Sequence, residues 1–508
     1  MTAPPPPDAL TLVLDVGKTH ARLLLIDAAG QVQAQAQRDS ASLPGALDYP
    51  ALDVAGLRRW WLQTVATWPA AQRQRVSRLV ATTHGAAFCG LAADAHWDDA
   101  EGGLALPVMD YEWDGPARDR DPADPPLDPF ALTGSPELPL GLNAGRQLRW
   151  LQRHRPQAWD QAAQWLPYPQ YWAWWWSGVA ASERSSLGCH THLWSPVQDG
   201  PSPWAQRLGL SPRLAPLRGA AEALGPLRPD LARRAGLPED ALVLCGLHDS
   251  NACLARYRDL GDAVSLVSSG TWTVVMSPGG EPGHLQARRD QLVNVAVDGR
   301  PVPTARFMGG REFAEVCAGA DPALAGTGGS LARLEAALAQ EWWALPAFAQ
   351  AGGPFATCQP PVHGRCLQGW EPARPVGPVD WAAQPPERRV AVASLYLGQM
   401  TAWLLQSLGG QGPVVVEGPM TRNAQAMAVL ATLLGHRTVH ASADPLEGTA
   451  RGAWRLAQPA SAPATGRRRP RPEASAAHLS PVAPLTGFAA ERLRSLHILW
   501  LSRVASLL

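Results

Sequence analysis

The sequence predicts an α/β protein whose second half repeats the organisation of its first. Three observations carry that expectation. Two short apolar runs rich in strand formers, 10–15 (LTLVLD) and 21–27 (ARLLLID), flank a tight Gly17-Lys18-Thr19 turn. Segments with helical spacing of apolar residues alternate with further strand-like runs. A second small-residue turn, Ser269-Gly270-Thr271, sits between two more such runs, 263–268 and 273–276.

In order along the chain, 53–68 has Val54, Leu57, Trp61, Leu62 and Val65 at helical spacing, and 78–83 (RLVATT) reads as a strand. The stretch 142–176 is rich in tryptophan at helical spacing (Leu148, Leu151, then Trp172, Trp175, Trp176), the pattern of a core rather than of a binding stripe. A new set of strands starts at Leu242 (LVLCG). Farther on, 388–408 reads as a long helix, 413–417 (PVVVE) as a strand, and 423–434 and 447–456 as helices. Residues 459–481, with Arg467 to Arg469 among Pro, Ala and Ser, have linker composition, and an amphipathic helix runs from 488 to about 507. The expected division is 1–245, 246–458 and a third segment, 459–508, of linker and terminal helix.

At 508 residues, 46% hydrophobic and 17% charged, the chain can bury large cores and lies far from the composition of disorder. Lys plus Arg (44) equals Asp plus Glu (44), so no charge excess favours nucleic acid or an anionic membrane. Seven cysteines without a Cys-x-x-Cys pair fit a reduced, cytoplasmic compartment. The start, MTAPPPPDAL, lacks the features of a signal peptide, and no apolar run reaches the roughly 20 residues of a spanning helix. Lysine occurs once, at Lys18, against 43 arginines. An ammonium is a compact point charge and a guanidinium a planar fork, so a site that needs the former resists replacement.

Gly17-Lys18-Thr19 resembles the end of a Walker A loop, but Leu12 stands where the first Gly belongs and a strand follows instead of a helix. A β-hairpin turn with Asp15 and Thr19 suits another task, offering backbone N–H groups to phosphate oxygens. Ser269-Gly270-Thr271 is a second such turn. Between them in sequence, Gly246-Leu247-His248-Asp249 follows a strand and places a carboxylate able to accept a hydroxyl proton, while Gly418-Pro419 after strand 413–417 gives a close-approach turn. Cys189-His190-Thr191-His192 has ligand-type residues but no confirming spacing for zinc.

These motifs, in this order to about residue 457, resemble the FGGY carbohydrate kinases. Asp15-Val16-Gly17-Lys18-Thr19 is similar to the family's first phosphate motif, Thr83-His84-Gly85-Ala86 to a stretch near the sugar, Gly246 to Asp249 to its catalytic Gly-x-x-Asp, and Ser269-Gly270-Thr271 to its Ser-Gly-Thr. The resemblance implies two actin-like (ribonuclease H-like) ATPase domains with an interdomain cleft. It implies ATP and Mg²⁺ as cofactors and a small-molecule sugar as partner, with no nucleic acid or membrane and a homodimer as the candidate assembly. It further implies Asp249 as catalytic base and substrate contact, and His84 and Asp110 as sugar contacts. Asp15 would act on the metal, and Asp15, Gly17, Lys18, Thr19, Ser269, Gly270, Thr271, Gly418 and Asn423 on ATP and its phosphates. Lys18 stands where a Thr is usual, Pro419 where a Gly is, and Gln147 where a lysine is usual. Residues 307–312 (FMGGRE) resemble the fuculokinase and rhamnulokinase branch, which implies a 6-deoxyhexulose substrate such as L-fuculose or L-rhamnulose. The alternatives are a xylulose- or ribulose-type pentulose kinase and a catalytically silent, nucleotide-gated sugar-binding regulator of the same fold. An actin-like chaperone ATPase is disfavoured because the segment after 457 is too short for a peptide-binding domain.

Overall fold

The computed structural model describes residues 8–45, 47–119, 121–122, 124–349, 352–444, 448–458 and 478–508. They fall into two compact units, one drawn from Met1–Tyr257, Val293–Pro301 and Leu446–Ala474, the other from Arg258–Leu292, Val302–Pro445 and Ser475–Leu508.

In the first unit, β1 (Leu10–Val16) pairs antiparallel with β2 (His20–Asp27), which pairs with β3 (Val32–Asp39). On its other side β1 runs parallel to β4 (Val76–Thr83), and the sheet continues through β6 (Leu242–Leu244) to β5 (Ala223–Pro226), giving the order β5-β6-β4-β1-β2-β3. The position explains the sequence. β1 is central and every one of its seven residues is buried, as a near-continuous apolar run requires, whereas β3 (VQAQAQRD) ends the run and alternates in exposure. Each Leu or Val fully buried in β1 contributes roughly 1.5–3 kcal/mol.

Helix Val54–Thr67 starts where the Asp53 carboxylate accepts the Gly56 N–H at 2.8 Å, and it sends Trp61 into the core, edge-on to Trp175 at 5.5 Å. The aromatic helix Tyr168–Ser177 is buried from Tyr168 through Trp176, so its rings are core, as the spacing suggests.

The second unit repeats this plan. β7 (Ser265–Ser269) pairs antiparallel with β8 (Thr273–Met276), and β8 with β9 (Pro301–Phe307). β7 also runs parallel to β10 (Val414–Glu417), and β10 parallel to β11 (Val439–Ser442). The order β9-β8-β7-β10-β11 thus matches β3-β2-β1-β4-β6, with parallel and antiparallel pairs at the same steps.

Three details depart from the expectation. Leu247–His248 pairs in parallel with Thr82 and Thr83 at the end of β4, so this pair and the helix Asp249–Ala255 after it lie in the first unit, which runs to Tyr257 and not to 245. At the other end, Leu479–Pro481 forms β12 on the edge of the second sheet, antiparallel to β11, where composition suggested linker. An edge strand admits Pro481, which a central one would reject. The rest of the expected linker, 459–477, lies outside the described residues. Finally, helix Gly487–Ala505 is part of the second unit's core: Leu493, Leu496 and Trp500 are buried, and Trp500 Nε1 donates to Ala344 O at 3.0 Å. No helix among the described residues is long and apolar enough to cross a membrane, and no two of the seven cysteines are joined in a disulfide.

Candidate active site

The β1–β2 turn is closed by the Gly17 N–H donating to His20 O at 2.9 Å, and Ser40 Oγ donates to Gly17 O at 3.0 Å. Among the described residues nothing accepts from the N–H groups of Lys18 and Thr19, so the turn presents two donors at the surface. Asp15 at the end of β1 is buried, and its Oδ2 accepts from Arg22 Nη2 at 3.2 Å and from Thr449 Oγ1 at 2.8 Å.

The Lys18 ammonium reaches away from that turn's N–H groups to Asp110, meeting Oδ1 at 2.6 Å and Oδ2 at 2.5 Å, with Glu112 Oε2 at 3.3 Å and the Tyr111 ring centroid at 5.4 Å. Asp110 is buried, and its Oδ1 also takes the Glu112 N–H at 3.0 Å. Burial alone would raise its pKa, but the Glu112 N–H, Lys18 and the Ser42 hydroxyl together hold it below the usual carboxylate value.

His84, at the end of β4, is buried between Tyr111 and Tyr168, at ring distances of 5.1 and 5.5 Å. Burial lowers its pKa most, the Gly85 carbonyl and Asp249 oppose that, Lys18 adds to it and Asp110 opposes it; the net shift is downward and the ring is neutral. Its Nδ1 lies 2.8 Å from Gly85 O, which can only accept, so Nδ1 carries the proton and Nε2 is left as an acceptor for a hydroxyl.

Asp249 opens helix Asp249–Ala255 at the end of Leu247–His248. One carboxylate oxygen, Oδ1, collects the Ser250 N–H at 2.5 Å, the Ser250 hydroxyl at 3.1 Å and His248 Nε2 at 3.1 Å. The other, Oδ2, has no partner among the described residues. His248 is buried and neutral, since burial lowers its pKa more than Asp249 raises it. Asn251 Nδ2, a donor, lies 3.1 Å from its Nδ1, which places the ring proton on Nε2, facing Asp249 and the Cys189 sulfur 3.1 Å away.

The second unit carries a turn of different make. Ser269-Gly270-Thr271 is uncharged, and nothing among the described residues accepts from the N–H groups of Gly270 and Thr271. Ser269 braces it from below, its hydroxyl donating to Glu417 O at 2.6 Å and accepting the Met420 N–H at 3.0 Å. Gly418 has φ +82°, and a Cβ there would lie 2.0 Å from Ser269 O, so only glycine lets β10 turn against the end of β7. Pro419 then starts the short helix Pro419–Arg422, where a missing N–H costs nothing. Asn423 uses both ends of its amide inside the unit: Oδ1 accepts the Ala426 N–H at 2.9 Å and Nδ2 donates to Ser394 Oγ at 2.9 Å. It shapes the turn as a helix cap.

Of the residues expected at the site, Asp15, Gly17, Lys18, Thr19, His84, Asp110 and Asp249 all belong to the first unit, while Ser269, Gly270, Thr271, Gly418 and Asn423 belong to the second. The sequence reading missed Arg22, Tyr111, Glu112, His248, Asn251 and Thr449. Tyr111, Glu112, His248 and Asn251 lie within two residues of ones it chose, Arg22 faces Asp15 across the β1–β2 hairpin, and Thr449 alone comes close from a distant segment. No group of three His, Cys, Asp or Glu able to hold a metal occurs among the described residues, which include Cys189-His190-Thr191-His192.

Residues 261–465 match the family model for the C-terminal domain of the FGGY carbohydrate kinases. The crystal structure of a carbohydrate kinase from Novosphingobium aromaticivorans is similar over 98% of this chain and 99% of that one, with 31% identity and a TM-score of 0.80. A xylulose kinase from Lactobacillus acidophilus has the same fold, with a TM-score of 0.71 at 14% identity over 98% of each chain. Among curated proteins, an L-fuculokinase from Salmonella typhi is 27% identical over 281 residues; the match spans 53% of this chain and 57% of the relative's length. Two α/β units with the same sheet order, the ordered series of turns and similarity over the full length of a solved carbohydrate kinase converge on one conclusion: the chain belongs to the FGGY carbohydrate kinases, proteins of the actin-like ATPase fold.

Proposed function

We propose that the chain is an ATP-dependent kinase of a small ketose, with Asp249 as the general base. The observation that supports this most is the asymmetry of the Asp249 carboxylate. Oδ1 is fixed by three contacts, and Oδ2 is left without one among the described residues, which suits an oxygen that must take a proton from an attacking hydroxyl. His84 Nε2 offers an acceptor to a second hydroxyl of the same sugar. As the hydroxyl oxygen bonds to the γ-phosphorus and the bond from that phosphorus to the ADP oxygen breaks, the hydroxyl proton would pass to Oδ2, and the Ser250 N–H and hydroxyl on Oδ1 keep the carboxylate turned for that transfer.

ATP supplies the phosphoryl group, and its phosphates fit a turn of bare N–H groups such as Ser269-Gly270-Thr271. Mg²⁺ takes hard oxygen ligands and often only one or two carboxylates beside the nucleotide's own phosphates, a mode that the buried carboxylate of Asp15 fits without a cage of several acids. Within the ketoses, the L-fuculokinase relative and the segment 307–312 favour a 6-deoxyhexulose phosphorylated on its C1 hydroxyl. The test is ADP formation over a panel of ketoses, aldoses and glycerol, run with the wild-type chain and with Asp249→Asn. Turnover with a ketose that Asp249→Asn abolishes is expected; no turnover with any sugar would leave the regulator reading.

A further inference from the structure

Lys18 sits on the first phosphate-type turn, yet its charge goes elsewhere. Its ammonium has three N–H donors, two on Asp110 and the third nearest Glu112. Asp110 in turn receives Lys18 on both oxygens and the Glu112 N–H on Oδ1, three donors for about four lone-pair directions. The pair is therefore largely satisfied from within, and the more accessible acceptor is Glu112, whose side chain is 59% exposed.

Among the described residues the charge count around the ammonium is uneven. One cation, Lys18, faces Asp110 and Glu112, and Asp249 acts on the same His84 and Tyr111 rings. Arg22 does not correct the balance, because it is paired with Asp15. His84 and His248 are neutral. A free lysine at this place would invite the carboxylate of a sugar acid; a lysine already neutralised by two carboxylates, beside a third, repels one.

We propose that Lys18 is a specificity-determining residue of the sugar site and not a phosphate ligand: held by Asp110 and Glu112, it orders an acidic rim that admits uncharged polyhydroxy ketoses and rejects sugar acids. This rests on the kinase reading above and deepens it. Lys18→Met leaves Asp110 buried without its cation and frees Glu112 from its tether, so the loss falls on the sugar. A guanidinium spreads its donors in a plane and cannot cap both Asp110 oxygens while reaching Glu112 in the same way, so Lys18→Arg restores the charge without the geometry.

The experiment has two arms. In the first, KM for the best ketose and for ATP is measured for the wild type, Lys18→Met and Lys18→Arg, and the wild type is assayed with aldonates. The expected result is a ketose KM raised about tenfold or more in both variants, with ATP KM unchanged, and ketose preferred over any aldonate on the order of 100-fold in kcat/KM. In the second arm, which needs no variant, the wild-type chain is labelled with an amine-specific reagent. Lys18 is the single lysine, so peptide mass mapping reads it against the N-terminal amine alone. Ketose should slow labelling of Lys18, and Mg-ATP alone should not. A raised ATP KM with an unchanged ketose KM, protection by Mg-ATP alone, or aldonate turnover equal to that of ketoses would overturn the proposal while leaving the kinase reading intact. Absence of turnover with every sugar would instead overturn the kinase reading.

Discussion

The turn between β1 and β2 and the turn between β7 and β8 hold the same place in the same strand order, and they are made of opposite materials. The first is ringed by charge: Asp15 with Arg22 and Thr449 below it, Lys18 on it, Asp110 and Glu112 beyond. The second has no charged side chain in Ser269-Gly270-Thr271 and is shaped by a hydroxyl, a glycine and a proline. Both leave N–H donors without acceptors among the described residues. The difference teaches that a shared scaffold fixes where donors point, while local charge decides what they meet. In the neutral turn, nothing but an anion is needed to complete the N–H groups. In the charged turn, Lys18, Asp110 and Glu112 pair with one another.

The largest effect is expected at Asp249, which we propose as the general base. Asp249→Asn should lower kcat by about 10²–10⁴ while calorimetry finds sugar and ATP affinities unchanged. Loss of sugar affinity without loss of turnover at saturation would make it a binding residue.

Acid treats the units alike. His192 in the first and His497 in the second are buried with both ring nitrogens unpartnered among the described residues, and burial depresses each pKa to about 4. Because the folded state prefers the neutral ring, the stability each contributes is complete above the unfolded value near 6.5 and drains away as pH falls from there toward about 4, by roughly 3 kcal/mol each. Melting temperature should therefore fall over that window, and less in His497→Leu or His192→Asn, the latter chosen because His192 has φ +63°. An unchanged acid profile in both variants would assign the acid sensitivity to carboxylates.

Two smaller changes separate the turns. Gly418→Ala forces a Cβ against Ser269 O and an L side chain into the left-handed region, at about 1–2 kcal/mol for the conformation alone, and should weaken ATP about tenfold with sugar affinity untouched. Ser269→Ala removes the brace under the second turn and should cost about 1 kcal/mol, a few-fold in ATP affinity; Ser40→Ala, which releases Gly17 O in the first turn, should leave ATP affinity where it was. Equal effects of the two serines on ATP would erase the distinction drawn between the turns.

What could be read from sequence was what is local. The hairpin strands, the long helix Pro386–Ser407 and the buried tryptophans announce themselves through periodicity within one segment. The two hairpin turns did so through short motifs. The partner of Lys18 was not legible, because Asp110 is 92 positions away and is brought in by the path after β4, and the phosphate role expected for Lys18 followed from its turn alone. Thr449 reaches Asp15 across 434 positions. The edge strand Leu479–Pro481 was hidden for the same reason: its composition is that of a linker, and only the open edge of β11 makes it a strand. The tautomers of His84 and His248 depend on which atoms face them, a fact of packing that no spacing encodes.

Phosphoryl transfer from ATP to an uncharged ketose can be read from phosphorus NMR of the product formed by the wild-type chain from Mg-ATP and a 6-deoxyhexulose. ADP and a single new phosphate monoester, with proton coupling that places it on the C1 methylene, are expected. A phosphorylated aldose, glycerol or aldonate as the preferred product, or inorganic phosphate as the sole one, would contradict it.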